Sequence, residues 1–187
     1  MFSEKALFDT QVDVAKAGTV NTISHLSDTF RNSGEYLNYG WIQATVAALV
    51  GFVIHGLIVS QVIKPSTGNK GVDAGLADVV KVGTVMMVSQ IINTSMAGGI
   101  ELSEAWMRTS AITLVAFFVF HVAIASSVPE VEGYQATVMD IAKVTFTSAA
   151  VHFISGQPFN REYGLSLAGV VGGFAIYHEI VHPRVFV

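Results

Sequence analysis

The sequence predicts an all-α membrane protein, with about six transmembrane helices paired as three repeated helical hairpins in one integral domain over residues 1–187. Three observations lead there. Hydrophobic residues make up 51% of the chain and charged residues 13%, and the mean hydropathy is +0.54; an ordinary soluble domain carries about 25% charged residues. Of three long apolar runs, two contain no charge at all and the third contains only Glu179 near its end. Between them lie apolar segments that carry the same Asp-x-x-Lys motif three times.

The first apolar run, Trp41 to Ile63, opens beside Tyr39 and Trp41 and closes at Lys64-Pro65. Aromatics belong at the membrane interface, and a basic residue followed by proline stops a helix. The second runs from Thr109 to Val128 and closes at Pro129; the third, Gly-rich, runs from Tyr163 to about Val181 and closes at Pro183. Each has roughly the 20 residues needed to cross ~30 Å of hydrocarbon. Two further segments, Leu76 to about Gly98 and Thr137 to about Gly156, are apolar with charges near their starts. The most polar segment, Phe8 to Phe30, holds Asp13, Lys16, His25 and Asp28. Taken alone it predicts an amphipathic helix lying in the interface.

Aligning the three charged segments changes that reading. The first two, from Asp13 and Asp78, share Asp, Val, Lys, Gly, Thr, Val and Ser in register, and the third, from Asp140, keeps the Asp, the Lys and the apolar frame. At one fixed interval after each Asp stands a polar residue: His25, Gln90 and His152. Each following apolar run carries a histidine near its far end: His55, His121 and His178. The chain therefore reads as three hairpins over about 8–64, 73–128 and 135–183, with the first segment spanning like the others. Both termini then share a face with Lys5, Lys16, Lys64, Lys70, Lys81, Lys143 and Arg184; Arg31, Arg108 and Arg161 fall on the other. Positive charge concentrates on the cytoplasmic or matrix side.

The absence of cysteine removes disulfides, thiolate metal ligands and cysteine nucleophiles. Ten Lys/Arg against fourteen Asp/Glu, with no basic run, excludes a nucleic-acid surface. The paired charges Asp13/Lys16, Asp78/Lys81 and Asp140/Lys143 share a helix face. They read as local pairs with the lysines snorkelling to the surface, or as part of a proton or ion path. The histidines read as polar glue between helices, as haem or pigment ligands (His25, His55, His121, His152, His178), or as proton carriers. His178-Glu179-Ile-Val-His182 matches the H-E-x-x-H zinc motif. The chain gives it no downstream third ligand, so a helix end with His182 and Arg184 on the C-terminal dipole is the plainer reading. Gly169-x-x-x-Gly173 and Ala47-x-x-x-Gly51 are close-packing pairs, for helices of this chain or of a partner.

Gly18-x-x-Asn21 followed by Phe30-Arg31, Tyr39-Gly40 opening a span, and His182-Pro183 closing the last one resemble the mitochondrial fission process protein family. The resemblance implies an inner-membrane protein and carries no catalytic residues.

The expectation is a non-catalytic accessory subunit of a larger membrane assembly in an energy-transducing membrane, the mitochondrial inner membrane by the resemblance, with lipid and other membrane subunits as partners. Short loops leave no room for a soluble catalytic domain. The alternatives are a small proton or ion transporter or channel, and a haem- or pigment-binding protein built on the repeated histidines.

Overall fold

A computed structural model of the chain describes residues 2–32, 34 and 38–186, without the side chains of Arg31 and Asn32. Arg31, assigned above to the less basic face, therefore lies outside the described side chains. The described residues form six long helices and no strand: α1 Glu4–Asn32, α2 Tyr39–Val62, α3 Lys70–Met96, α4 Glu104–Ser127, α5 Gln135–Ile154 and α6 Arg161–Val185. Four of them, α2, α3, α4 and α6, are long and apolar enough to cross a membrane. The chain is a helical membrane protein. The two outside that set are α1 and α5, both bearing the charged motif.

The helix starts follow from local chemistry. Asn38 accepts from Trp41 N–H at 2.8 Å, Ser103 from Trp106 N–H at 3.2 Å, and Asn160 from Tyr163 N–H at 2.9 Å. Each is an N-cap that satisfies a backbone donor which the helix itself leaves free. So α2, α4 and α6 open alike, with a polar cap three residues before an aromatic. Asn69 caps α3 by accepting from Gly71 and Val72 N–H, and α3 therefore begins well before Leu76. Asp78 consequently lies about 12 Å along its helix, at ~1.5 Å per residue from Lys70, rather than in a first turn. The last helix is also longer than Pro183 suggested. A wide turn over Tyr177–Val181 hands the chain to a final α-turn, His182–Val185, which takes the proline in its first positions, where its missing N–H costs nothing.

Each helix packs on the next, and α6 returns to pack on α1, so the six close a ring. The closure is intimate. A Cβ on Gly173 would lie 2.7 Å from Val20 Cα, and one on Gly169 would lie 3.3 Å from Ser24 Cα. Tyr177 O–H donates to Val12 C=O at 3.2 Å, and the Phe8 and Phe186 rings meet at 5.7 Å, bringing the two ends of the chain together. Thus α1 is a packed member of the bundle and does not lie apart along an interface. The α2–α3 contact repeats the device, with a Cβ on Gly51 falling 2.8 Å from Val85 Cα and Ala47 fully buried. Small residues let backbones touch. At the corresponding place in α4 stands buried Ala116. There α4 and α5 part around an apolar cleft of about 350 Å³, lined by Val115, Ala116, Val119 and Phe146.

The outer surface is apolar. Val46, Val53, Ile58, Val62, Val115, Val122, Phe153 and Ile154 are all exposed, while the buried apolar set is only Ala6, Val20, Ala47, Ala116, Phe120 and Tyr177 among the described residues. In water such a surface would drive association; in hydrocarbon it faces its own kind.

Candidate functional site: a charged layer across the bundle

In α1, α3 and α5 the Asp and Lys of each motif lie one turn apart on the same face. Their main partners are on other helices. Lys16 Nζ of α1 donates to Asp140 Oδ2 of α5 at 2.7 Å, and Lys143 Nζ of α5 donates to Asp78 Oδ2 of α3 at 2.8 Å. Lys81 of α3 pairs with Asp13 of α1 at 2.8 Å. Each lysine thus crosses to another charged helix, and the pairs run round the three helices in one cyclic sense. A weaker contact within one helix, Lys143 to Asp140 Oδ1 at 3.7 Å, links two of the pairs. The snorkelling reading fails on this geometry: these side chains reach sideways into the bundle.

Two imidazoles complete the layer. His121 Nε2 lies 2.7 Å from Asp78 Oδ2, and His178 Nε2 lies 2.9 Å from Asp140 Oδ2. His121, Asp78, Lys143, Asp140 and His178 therefore form one continuous chain of polar contacts from α4 to α6, with Lys16 joined at Asp140. In both aspartates the ammonium and the imidazole meet the same oxygen, Oδ2, so the charge-assisted contacts converge on one atom.

The backbone beneath these histidines is unusual. In α2, α4 and α6 the α-helix widens to a π turn at His55–Val59, Phe120–Ile124 and Tyr177–Val181. In each, an N–H five residues on closes the turn: Ser60 to His55 C=O, Ala125 to Phe120 C=O, and His182 to Tyr177 C=O. Single π turns are rare and concentrate at functional sites.

The first residue of each turn, His55, Phe120 or Tyr177, is buried. The second is Gly56, His121 or His178. The sequence alignment matched His55 with His121 and His178; by its place in the turn it matches Phe120 and Tyr177 instead. One residue fewer separates Trp41 from His55 than Trp106 from His121 or Tyr163 from His178, and one residue turns a side chain by about 100° around a helix. Glycine stands where the first hairpin would need an imidazole.

The other histidines are engaged elsewhere. His25 stacks on Trp41 at 4.6 Å between centroids with planes 11° apart, and His152 packs on Tyr163 at 4.1 Å. Gln90 Nε2 donates to Glu101 C=O at 2.8 Å. These residues close the hairpins at the end away from the charged layer, so His25 and His152 do not join His55, His121 and His178. The zinc-motif residues are also dispersed among partners. His178 holds Asp140, Glu179 Oε1 accepts from Thr137 Oγ1 at 2.9 Å, and His182 packs on the rings of Tyr177 and Phe186. The π turn supplies the reason, since it breaks the i, i+4 register on which the motif depends. No three metal-binding side chains gather among the described residues. Nor do two histidines face one another as an axial pair for haem: His121 and His178 present Nε2 to carboxylates.

The packing pairs are consumed inside the chain, Gly51 and Ala47 in the contact of α2 with α3 and Gly169 and Gly173 in that of α6 with α1. The repeated Asp-x-x-Lys marked the charged residues but not their partners on other helices. The π turns left no sequence signal beyond the altered Trp-to-His spacing. No family model matches this sequence, and neither a curated protein nor a solved structure is significantly similar to it.

Proposed function

We propose that the chain is a small proton-transporting membrane protein in which all six helices span, as three hairpins, and the Asp–Lys–His layer carries the protons. The observation that supports this is the linkage of three charged helices through Asp13, Asp78 and Asp140, with His121 and His178 in direct contact with two of them. A charge placed at the centre of a membrane helix costs about 3 kcal/mol or more. A bundle that needed only to pack would be as stable with apolar residues there. Carboxylates and imidazoles in mutual contact exchange protons, and they mark proton relays in pumps and transporters. The layer lies nearer the Lys-rich end, which the positive-inside rule assigns to the cytoplasm or matrix.

The test is flux. Purified protein in liposomes holding a pH-sensitive dye, driven by a potassium diffusion potential, should acidify or alkalinise the lumen faster than empty liposomes. Asp78→Asn with Asp140→Asn should abolish the difference. Wild-type protein with no flux above background would overturn the proposal.

A second reading keeps the chain as an accessory subunit of a complex in the mitochondrial inner membrane. The open apolar cleft between α4 and α5 favours it, as a seat for a partner helix. Native electrophoresis after mild extraction tests it: migration far above 20 kDa plus micelle supports the subunit, and migration as a monomer overturns it.

A further inference from the structure

The first hairpin departs from the other two in one respect with a chemical consequence. Asp78 and Asp140 each hold a lysine and an imidazole; Asp13 holds Lys81, and where the imidazole would stand the chain has Gly56. Thr10 fills the start of that space, where a Cβ on Gly56 would collide with its Oγ1, and beyond it the protein leaves a gap. A cavity of about 330 Å³ lies there between α1 and α2, bordered by Asp9, Asp13, His55, Gly56, Ser60 and Lys81. It reaches the Lys-rich face, where Lys5 and Lys64 also border it. One water needs roughly 10–15 Å³ of such volume and two or more polar partners, and this cavity offers both many times over. Lys81 is also the most exposed of the three layer lysines, at 32% against 26% for Lys16 and 20% for Lys143.

His55 borders the same cavity. Its ring is 7% exposed, and its Nδ1 is buried without a hydrogen-bond partner. A buried polar atom left unpaired costs about 1–3 kcal/mol unless something else supplies the bond. Charged neighbours come from both packed helices, Asp13 and Asp9 from α1 and Lys81 from α3.

We propose that this cavity is an aqueous port through which protons from the Lys-rich face reach Asp13 and His55, at the one place where the layer lacks its imidazole. The port rests on the proton-path reading above. Asp13 and Lys81 border this cavity, whereas Asp78 and Asp140 are held by His121 and His178. Gly56 lines the opening, and a Cβ on it would collide with the Thr10 side chain, so a larger residue there enters the cavity only if Thr10 gives way.

The chain has no cysteine, so single cysteines report cleanly. Ser60→Cys should react with a membrane-impermeant thiol reagent added on the Lys-rich face, at a rate approaching that of Gly68→Cys in the loop between α2 and α3. Ser110→Cys, buried in α4, should not react. Installing the missing imidazole, as Gly56→His with Thr10→Gly to copy Gly75, where an added Cβ would fall 3.4 Å from His121 Cβ, should slow Ser60→Cys labelling at least tenfold and reduce proton flux alike. If that pair fails to fold, labelled Ser60→Cys itself serves as the plugged form. An unreactive Ser60→Cys beside a reactive Gly68→Cys overturns the port. A reactive Ser60→Cys in protein that passes no protons leaves the port standing and removes the proton path instead. Flux that survives both plugging routes overturns the port as the route.

Discussion

Replacing Asp140 by Asn tests the charged layer where it is most connected. Asp140 accepts from Lys16 at 2.7 Å and touches His178 at 2.9 Å, with Lys143 3.7 Å away. The neutral amide keeps an oxygen that can accept from Lys16 but removes the opposing charge inside the bundle, where the other contact of Lys16 is over the Tyr177 ring at 5.6 Å. Lys143 keeps Asp78. Orphaning one partner of a buried pair costs about 3–5 kcal/mol, whereas an exposed pair is worth about 0–1 kcal/mol. Side-chain exposures of 26% for Lys16 and 14% for Asp140 place this pair nearer the buried limit, so the expected loss is about 2–4 kcal/mol. Asp13→Asn, which releases the more exposed Lys81, should lose about 1–2 kcal/mol. Unfolding in mixed micelles by increasing SDS, followed by far-UV circular dichroism, reads both. Lys16→Met should lower the further cost of Asp140→Asn by ~1 kcal/mol or more, since the two residues share the interaction. An Asp140→Asn protein within about 0.5 kcal/mol of wild type would refute the reasoning and return the motif to a solvated surface pair.

Three further outcomes follow from the packing and the site. Gly173→Ala would force a methyl to within 2.7 Å of Val20 Cα and should destabilise by about 1–3 kcal/mol, while Gly172→Ala, which meets nothing within 4 Å, should be neutral or stabilising in the same SDS titration. Asn160→Ala removes the cap of α6 and should lose about 1 kcal/mol; an unchanged unfolding midpoint would mean that the end of the helix is held by other contacts. Glu179→Gln should leave stability within about 0.5 kcal/mol, because an amide oxygen still accepts from Thr137, and elemental analysis of the wild-type protein should find no stoichiometric zinc; one zinc per chain lost with His178→Ala or His182→Ala would restore the metal motif.

Helix number and order were legible because hydropathy and repetition are strong signals when the medium is hydrocarbon. The caps were legible in principle, since Asn38, Ser103 and Asn160 each stand three residues before an aromatic. The partners of the charges were not. An Asp and a Lys one turn apart look alike on paper whether they pair with each other or reach across to neighbouring helices, and only the ring closure of α6 on α1 brings Lys16 to Asp140. The histidines misled for a related reason. Matching them by residue type set His55 beside His121 and His178, but His55 stands one residue nearer its opening aromatic than the other two do, so Gly56 occupies the place that His121 and His178 take. Local sequence carries little trace of a π turn, because the preference for it lies in tertiary packing around Phe120 and Tyr177. Pro183 misled through the same feature: the wide turn before it lets the helix continue.

Proton flux into liposomes is the measurement closest to the central claim. The expected result is a dye response above empty liposomes with wild-type protein, and its loss in Asp78→Asn/Asp140→Asn protein that still unfolds cooperatively in SDS. Flux equal to background for wild type, or undiminished in the double variant, would contradict it.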